Sequence, residues 1–128
     1  MSAVINAGAR DFESMLGDQR APLLVDFSAS WCGPCKAMAP ALESFAERRR
    51  NELTVVKLDI DEAPNIAAQY AIRSVPTLML FNDGKPLAMQ AGMMSEAQLA
   101  QFVDQHLPRK ERPVVEQDPT RPQIKLDW

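Results

Sequence analysis

Apolar runs alternate along this chain with stretches in which apolar residues recur at helical spacing. Three runs are rich in apolar residues, which is typical of central strands buried on both faces: LLVDFS (Leu23–Ser28), TVVKLD (Thr54–Asp59) and TLMLFN (Thr77–Asn82). After the third run, NDGK is a turn signal, and PLAMQA predicts an antiparallel hairpin partner at the sheet edge, where Pro86 is tolerated. The alternation predicts an α/β domain with a mixed sheet.

Four segments have the pattern of helices that cover such a sheet. The stretch CKAMAPALESFAERRR predicts a long amphipathic helix with a kink at Pro40 and three arginines at its C-terminal end. In SEAQLAQFVDQHL, Ser95 and Gln98 have the spacing of a capping box, so a closing helix is expected there. Shorter helices are predicted at Ala9–Leu16 and Pro64–Tyr70.

Composition and charge limit the function classes. The chain has 128 residues, of which 46% are hydrophobic, and its formal net charge is -3 with both signs mixed along the sequence. This predicts one domain and gives no basic face for a nucleic acid. The N-terminal residues do not have the positively charged segment and following apolar run of an export signal. No apolar stretch is long enough to span a bilayer. We therefore expect a protein of the bacterial-type cytoplasm without a membrane partner.

The composition changes near the C-terminus, which predicts a domain over residues 1–107 and a tail over residues 108–128. The tail has four prolines and nine charged residues in twenty-one, which disfavours a regular helix or a central strand. Its last residues alternate, so an extended segment would present Ile124, Leu126 and Trp128 on one face. These residues are hypothesised to bind an apolar surface on the same molecule or a neighbour; a solvated extension is the alternative.

Both cysteines lie in SASWCGPCKAMAP (Ser28–Pro40), as Cys32 and Cys35. A disulfide that closes so short a loop removes little entropy from the unfolded chain, so a purely stabilising role is doubtful. A structural zinc site needs about four ligands, and His106 is the only histidine. We expect no metal and interpret the cysteines as a reversible dithiol, which suits a reducing compartment.

The position of the CGPC motif indicates which cysteine reacts first. Cys32 is expected at the start of the helix, where unpaired backbone N–H groups and the helix dipole favour a thiolate. Pro34 fits an early helical position and Gly33 allows another chain to come close. Cys35, three residues on, returns to the same face within disulfide reach. Cys32 is therefore the predicted nucleophile and Cys35 the resolving thiol.

Two charged residues interrupt the apolar strands. Asp26 lies inside LLVDFS, and burial without a fixed partner would raise its pKa and prepare it to move protons. Lys57 lies inside TVVKLD and would partly offset the charge of Asp26 if the two strands are neighbours. The alternatives are that Asp26 faces solvent at a strand end and that Lys57 extends to water.

The segments LLVDFSASWCGPCKAMAP, LTVVKLDID, IRSVPTLMLFNDGK and AGMMSEAQL resemble the thioredoxin family in order and spacing, over about residues 4 to 107. The resemblance implies a thioredoxin fold, with a five-stranded mixed sheet in the order 1-3-2-4-5 and four flanking helices. It implies a protein-disulfide reductase that needs no cofactor beyond the Cys32–Cys35 disulfide. Its partners would be a thioredoxin reductase, which supplies electrons, and disulfide-containing client proteins.

The resemblance also implies site residues that sequence patterns alone do not give. The Val75–Pro76 bond would be trans by the usual preference, but the family implies that it is cis and faces the cysteines, with the Val75 backbone pairing with a client strand. Gly92 and Trp31 would line the docking surface, with the apolar residues Ile72, Val75, Ala91 and Met93 around them. Several of these apolar residues could equally belong to the core, which is the expected place for a methionine, and Gly92 could be an ordinary turn glycine. Asp26 would take the proton of Cys35 through a water molecule, tuned by Lys57.

One residue departs from the pattern of many family members. Ser28 stands where they have a second tryptophan, three residues before Trp31. Its small side chain predicts looser packing around Asp26 and the CGPC motif. The dithiol chemistry is expected to persist.

A hypothesis from a different class is a thioredoxin-like chaperone or assembly module, whose tail and apolar patch bind one partner while the cysteines are incidental. The intact CGPC motif with Asp26 and Pro76 favours the reductase. We expect a monomer, and self-association through the tail stays open. An oxidase or isomerase would differ from a reductase in reduction potential, which composition does not give.

Overall fold

The computed structural model describes residues 2–18 and 22–107. Strands and helices alternate through this part of the chain, as the hydrophobic pattern predicts. In chain order the elements are β1 (Val4–Ala7), α1 (Ala9–Asp18), β2 (Leu23–Ser28), α2 (Gly33–Arg48), β3 (Thr54–Asp59), α3 (Pro64–Gln69), β4 (Thr77–Asn82), β5 (Lys85–Ala91) and α4 (Glu96–His106).

The strands form one mixed sheet in the order β1-β3-β2-β4-β5. The strands at the first three positions are parallel, β4 pairs antiparallel with β2, and β5 pairs antiparallel with β4. Both β2 and β4 are buried along their whole length, as expected of central strands. The predicted fold, strand order and helix number are confirmed among the described residues. The carboxyl end of β2 leads directly to the CGPC motif, so the sheet centre positions the reactive segment.

The β4–β5 hairpin has the turn chemistry that its sequence predicts. Asp83 and Gly84 both have positive φ, at 55° and 76°, which is the conformation of a tight two-residue hairpin turn. The register shifts between Leu80 and Phe81, opposite Pro86. Because proline has no N–H to donate to the ladder, it is confined to places such as an edge strand or a register shift.

The core lies on both faces of the sheet. Helices α2 and α4 pack on one face, where Leu42, Phe45, Leu99 and Phe102 join apolar residues of the strands. On the other face, Phe12 of α1 and Ile66 of α3 pack against the strands, with edge-on aromatic contacts involving Phe12, Tyr70 and Phe81. Burial on two faces explains why the central strands are almost uniformly apolar.

Helices α2 and α4 are held at defined ends. The Ser95 hydroxyl accepts from Gln98 N at 3.1 Å, and the Gln98 side chain accepts from Ser95 N at 2.8 Å, so the predicted capping box is present. Helix α2 runs without a break through Pro40. Near its end, both guanidinium nitrogens of Arg49 lie 3.0 Å from the carboxylate of Asp104 on α4. These contacts fix α2, and therefore its first turn, against the rest of the domain.

The predicted tail, residues 108–128, lies outside the described residues. The hypothesis on Ile124, Leu126 and Trp128 therefore concerns residues that the structure does not describe. Within residues 2–18 and 22–107, no helix has both the length and the apolar character needed to cross a membrane.

Candidate active site

The two cysteines form a disulfide at the N-terminus of α2, with their Cα atoms 5.3 Å apart. Cys32 is the N-cap residue, with extended backbone at φ -88° and ψ 111°, and its sulfur accepts a hydrogen bond from Cys35 N at 3.1 Å. Gly33 and Pro34 follow in the exposed first turn. The sulfur of Cys32 therefore takes the place of the side-chain oxygen that usually caps a helix N-terminus. Negative charge is favoured at this end of a helix.

The sulfur of Cys32 faces the loop before β4. Its Sγ lies 3.6 Å from the carbonyl oxygen of Val75. Both cysteines are buried, at 3% and 2% exposure, and they pack with Ala29, Ile60 and Val75. These apolar surroundings keep the disulfide out of bulk water. On the loop before β4, the neighbour of the disulfide is Val75.

The Val75–Pro76 peptide bond is cis, as the family resemblance implies and the usual preference does not. The Pro76 carbonyl accepts a hydrogen bond from Gly92 N at 2.9 Å. Gly92 has a φ of 108°, a conformation that L side chains rarely adopt, so glycine is required by the backbone. The structure therefore brings Val75, Pro76 and Gly92 together beside Cys32.

Trp31 lies next to the disulfide with 65% of its surface exposed. Its indole Nε1 donates to Asp61 Oδ2 at 2.8 Å, and Asp61 N donates to Asp59 Oδ1 at 2.8 Å. A large exposed ring is thus held in place by one polar contact. No sequence pattern indicated this role for Asp61, because the pair is 30 residues apart and meets only after β3 has paired with β2.

Asp26 is buried in β2, with 1% exposure, so the solvent-facing alternative is wrong. Its neighbour in the ladder is Lys57 of β3, which is half-buried. Burial raises the pKa of Asp26 to about 6, and the positive charge of Lys57 limits the rise. No group within residues 2–18 and 22–107 makes a hydrogen bond to Asp26 Oδ1. A buried carboxyl of this kind exchanges a proton near neutral pH.

A groove of about 410 Å³ opens beside the motif, on the side of β1 and β3. Its lining includes Ser28, Cys35 and Lys57, with Asn6 and Asp59 among the remaining residues. Ser28 itself is 3% exposed. Looser packing around Asp26 and the CGPC motif stays a prediction from the small side chain at this position.

The residues predicted to line the docking surface differ in exposure. Trp31 and Met93 are exposed, at 65% and 54%, so the core position expected of a methionine is wrong for Met93. Ala91, which ends β5, is also exposed, whereas Ile72 and Val75 are half-buried and Ile72 packs against the core cluster that contains Phe12. That these residues form a surface for other proteins stays a prediction.

Among the described residues, no three His, Cys, Asp or Glu side chains lie close enough together to hold a metal ion.

Comparison with known proteins identifies the family. The sequence model of the Thioredoxin family matches residues 3–105. A thioredoxin of Haemophilus influenzae is 40% identical over 107 residues, which are 84% of this chain and 100% of the relative. Thioredoxins of Acidithiobacillus ferridurans and Staphylococcus aureus are 47% and 41% identical, each over 105 residues, 82% of this chain and 97% and 99% of the relatives. This chain belongs to the thioredoxin family and is a thiol-disulfide oxidoreductase, a protein-disulfide reductase of the thioredoxin type.

Proposed function

We propose that Cys32 is the nucleophile of this reductase and Cys35 the resolving thiol. The carrying observation is the N-cap position of Cys32, whose sulfur receives the N–H of Cys35 at 3.1 Å. In the dithiol state the same donor and the helix dipole favour a thiolate on Cys32. Cys35, one turn further along, has no such place at the helix end. The first attack on a client disulfide therefore falls to Cys32.

The reaction then proceeds by two sulfur exchanges. The Cys32 thiolate attacks one sulfur of the client disulfide, whose other sulfur leaves as a thiolate, and a mixed disulfide forms. Cys35 loses its proton and attacks Cys32 Sγ, which breaks the mixed disulfide and releases the second client thiolate. The products are the reduced client and the Cys32–Cys35 disulfide, so two electrons have moved to the client.

Asp26 is the proposed acceptor of the Cys35 proton, through a water molecule. A buried carboxyl with a pKa of about 6 is mostly ionised at neutral pH, yet it is a stronger base than an exposed aspartate. Oδ1, to which no described residue makes a hydrogen bond, is the atom that would accept from this water. Lys57, opposite Asp26 in the ladder, would keep the carboxyl ionised and ready to accept.

Clients are proposed to dock along the Val75–Pro76 segment. The Val75 backbone would pair with an extended client segment, which places a client sulfur near Cys32 Sγ. Trp31, Gly92 and the surrounding apolar side chains would exclude water from the exchange. Gly33 and Pro34, exposed in the first turn, leave room for the approaching chain.

We further propose that a thioredoxin reductase returns the disulfide to the dithiol and that no other cofactor takes part. The proposed location is the cytoplasm, where a reductant of this type keeps disulfides rare. The working unit would be the monomer formed by the domain over residues 1–107, with the tail outside the reaction.

Insulin reduction with dithiothreitol as electron source tests the proposal. Wild type should accelerate precipitation of the insulin B chain, Cys32→Ser should lose the acceleration, and Ser14→Ala on the exposed part of α1 serves as the control. Equal rates for wild type and Cys32→Ser would reject the nucleophile and favour a binding module.

A further inference from the structure

The methionines of the domain differ sharply in exposure. Met38, Met79 and Met94 are buried, with 1%, 4% and 2% exposure. Met89 and Met93 are exposed, at 53% and 54%. The thioether is readily oxidised where an oxidant reaches it, and these two side chains are the most exposed of the six methionines that the structure describes, since Met15 of α1 is half-buried.

Met93 differs from its sequence neighbour in more than exposure. Met94 turns inward, where its backbone N lies 3.4 Å from Met38 Sδ, and it belongs to the core under α2 and α4. Met93 follows Gly92, whose N–H binds the Pro76 carbonyl at 2.9 Å. Met93 therefore directly follows a residue that is hydrogen-bonded to Pro76, and it is one of the apolar residues of the docking surface proposed above.

Met89 allows a comparison with Met93, because it is equally exposed but lies elsewhere on the domain. It lies in β5 opposite Met79 in the register of the β4–β5 ladder, and β5 is an edge strand. Its exposure equals that of Met93 within one percentage point. The two thioethers therefore offer an oxidant similar access, while only Met93 adjoins Gly92 and Pro76.

We propose that Met93 is a site of reversible oxidation by hydroperoxides and that its sulfoxide weakens client docking. This inference rests on the proposed docking surface. The sulfur lone pair attacks the outer peroxide oxygen, the O–O bond breaks, and water or an alcohol leaves with the proton, while sulfur gains the oxygen. An apolar side chain thereby becomes polar at a surface that clients must desolvate.

The modification would outlast the oxidation of the cysteines. A hydroperoxide also converts the dithiol to the disulfide, with water and an alcohol or a second water as products, and the reductase reverses that change. The sulfoxide needs a methionine sulfoxide reductase for its removal. Oxidant exposure would therefore lower client turnover after the dithiol has been restored.

Peptide mapping tests the first half of the inference. The disulfide form is treated with hydrogen peroxide, quenched with catalase at intervals, and digested for mass spectrometry. Met93 and Met89 should oxidise at least about ten times faster than Met38 and Met94, since the buried thioethers react only in opened states. A rate at Met93 no greater than that at Met94 would overturn the site.

Client kinetics test the second half, with each protein compared to its own untreated sample. Peroxide should raise the KM for insulin about threefold to tenfold in wild type and in Met89→Leu, and leave Met93→Leu unchanged. Turnover of a small aromatic disulfide, which needs little docking surface, should stay the same. An unchanged KM after complete Met93 oxidation rejects the inference alone, whereas an untreated wild type inactive on both substrates rejects the proposed function.

A parallel loss of turnover on both substrates would also reject the inference, because it would place the damage at the disulfide or in the fold. Met93→Gln gives a further check, since it places a polar side chain there without peroxide. Its KM for insulin should exceed that of Met93→Leu, and equal values would contradict a role for polarity at this position.

Discussion

Asp26 combines full burial with a charged neighbour on the adjacent strand. Lys57 of β3 lies opposite the carboxyl in the ladder, and its positive charge offsets part of the cost of burying the carboxylate. Its burial was predictable from the apolar residues on both sides in LLVDFS. The contact of Trp31 with Asp61 was not predictable, because it depends on how the segment after β3 reaches the start of α2.

The raised pKa of Asp26 predicts a pH-dependent stability. Between the unfolded value of 3.8 and the folded value of about 6, the folded protein binds a proton that the unfolded chain has lost, so stability falls as pH rises. Asp26→Ala lacks this titration. Its free energy of unfolding relative to wild type should therefore increase by about 2 kcal/mol between about pH 4 and pH 7.5.

Urea unfolding at the two pH values measures this difference, and comparing pH values cancels the cost of the cavity that alanine leaves. Glu13→Ala, on the exposed part of α1, is the control and should parallel wild type. A constant difference between Asp26→Ala and wild type would contradict the raised pKa.

Asp61→Ala should free the Trp31 ring. Loss of the 2.8 Å hydrogen bond removes a net interaction of about 1 kcal/mol, which corresponds to about fivefold faster exchange of the indole N–H with deuterium. A Trp128→Phe background leaves one indole signal in the NMR spectrum. Glu62→Ala, the exposed neighbouring acid, should exchange like the parent, and equal exchange in both variants would argue against the contact.

At the level of elements, periodicity predicted the central strands because burial on both faces leaves continuous apolar runs. Strand β1 has no such run, since only Val4 and Ala7 of its residues are buried, and only the family resemblance supplied it. The cis bond before Pro76 is likewise invisible to local preference, which favours trans. Helix α2 was predictable from its sequence. The spacing of its apolar residues indicated a helix, and Pro34 indicated where its first turn lies.

Ser28→Trp tests the packing beside α2. An indole that fills part of the 410 Å³ groove should add about 1 to 3 kcal/mol of stability and raise the melting temperature. Ser30→Trp, at an exposed position of the same groove, should give no comparable gain. Calorimetry of the oxidised proteins decides; an unchanged or lower melting temperature for Ser28→Trp would show that the groove does not accept the ring.

The whole domain places its reactive group where three elements meet. The end of β2, the start of α2 and the loop before β4 converge on the disulfide. Helix α2 packs against α4 through a shared hydrophobic core, which holds α2 in place. Helix α4 ends at His106, and the composition of the sequence changes after this residue. What the residues beyond it do stays a prediction, because periodicity there gives a candidate apolar face without a partner.

Ending the chain at Arg112 tests the tail hypothesis. If Ile124, Leu126 and Trp128 bind the same molecule, the shortened protein should have a lower melting temperature; if they bind a neighbour, light scattering should show loss of self-association. A variant with these three residues changed to serine separates the apolar face from the length of the tail. Unchanged stability, oligomeric state and client kinetics would end the hypothesis.

Trapping of the mixed disulfide tests the central claim, that Cys32 attacks the client and Cys35 resolves it. Reduced Cys35→Ser and reduced Cys32→Ser are each mixed with a peptide that contains one disulfide, and intact mass spectrometry follows the adduct. Cys35→Ser should accumulate a lasting adduct on Cys32, and Cys32→Ser should form none at the same times. Equal or faster adduct formation on Cys35 in Cys32→Ser would contradict the assignment of the nucleophile.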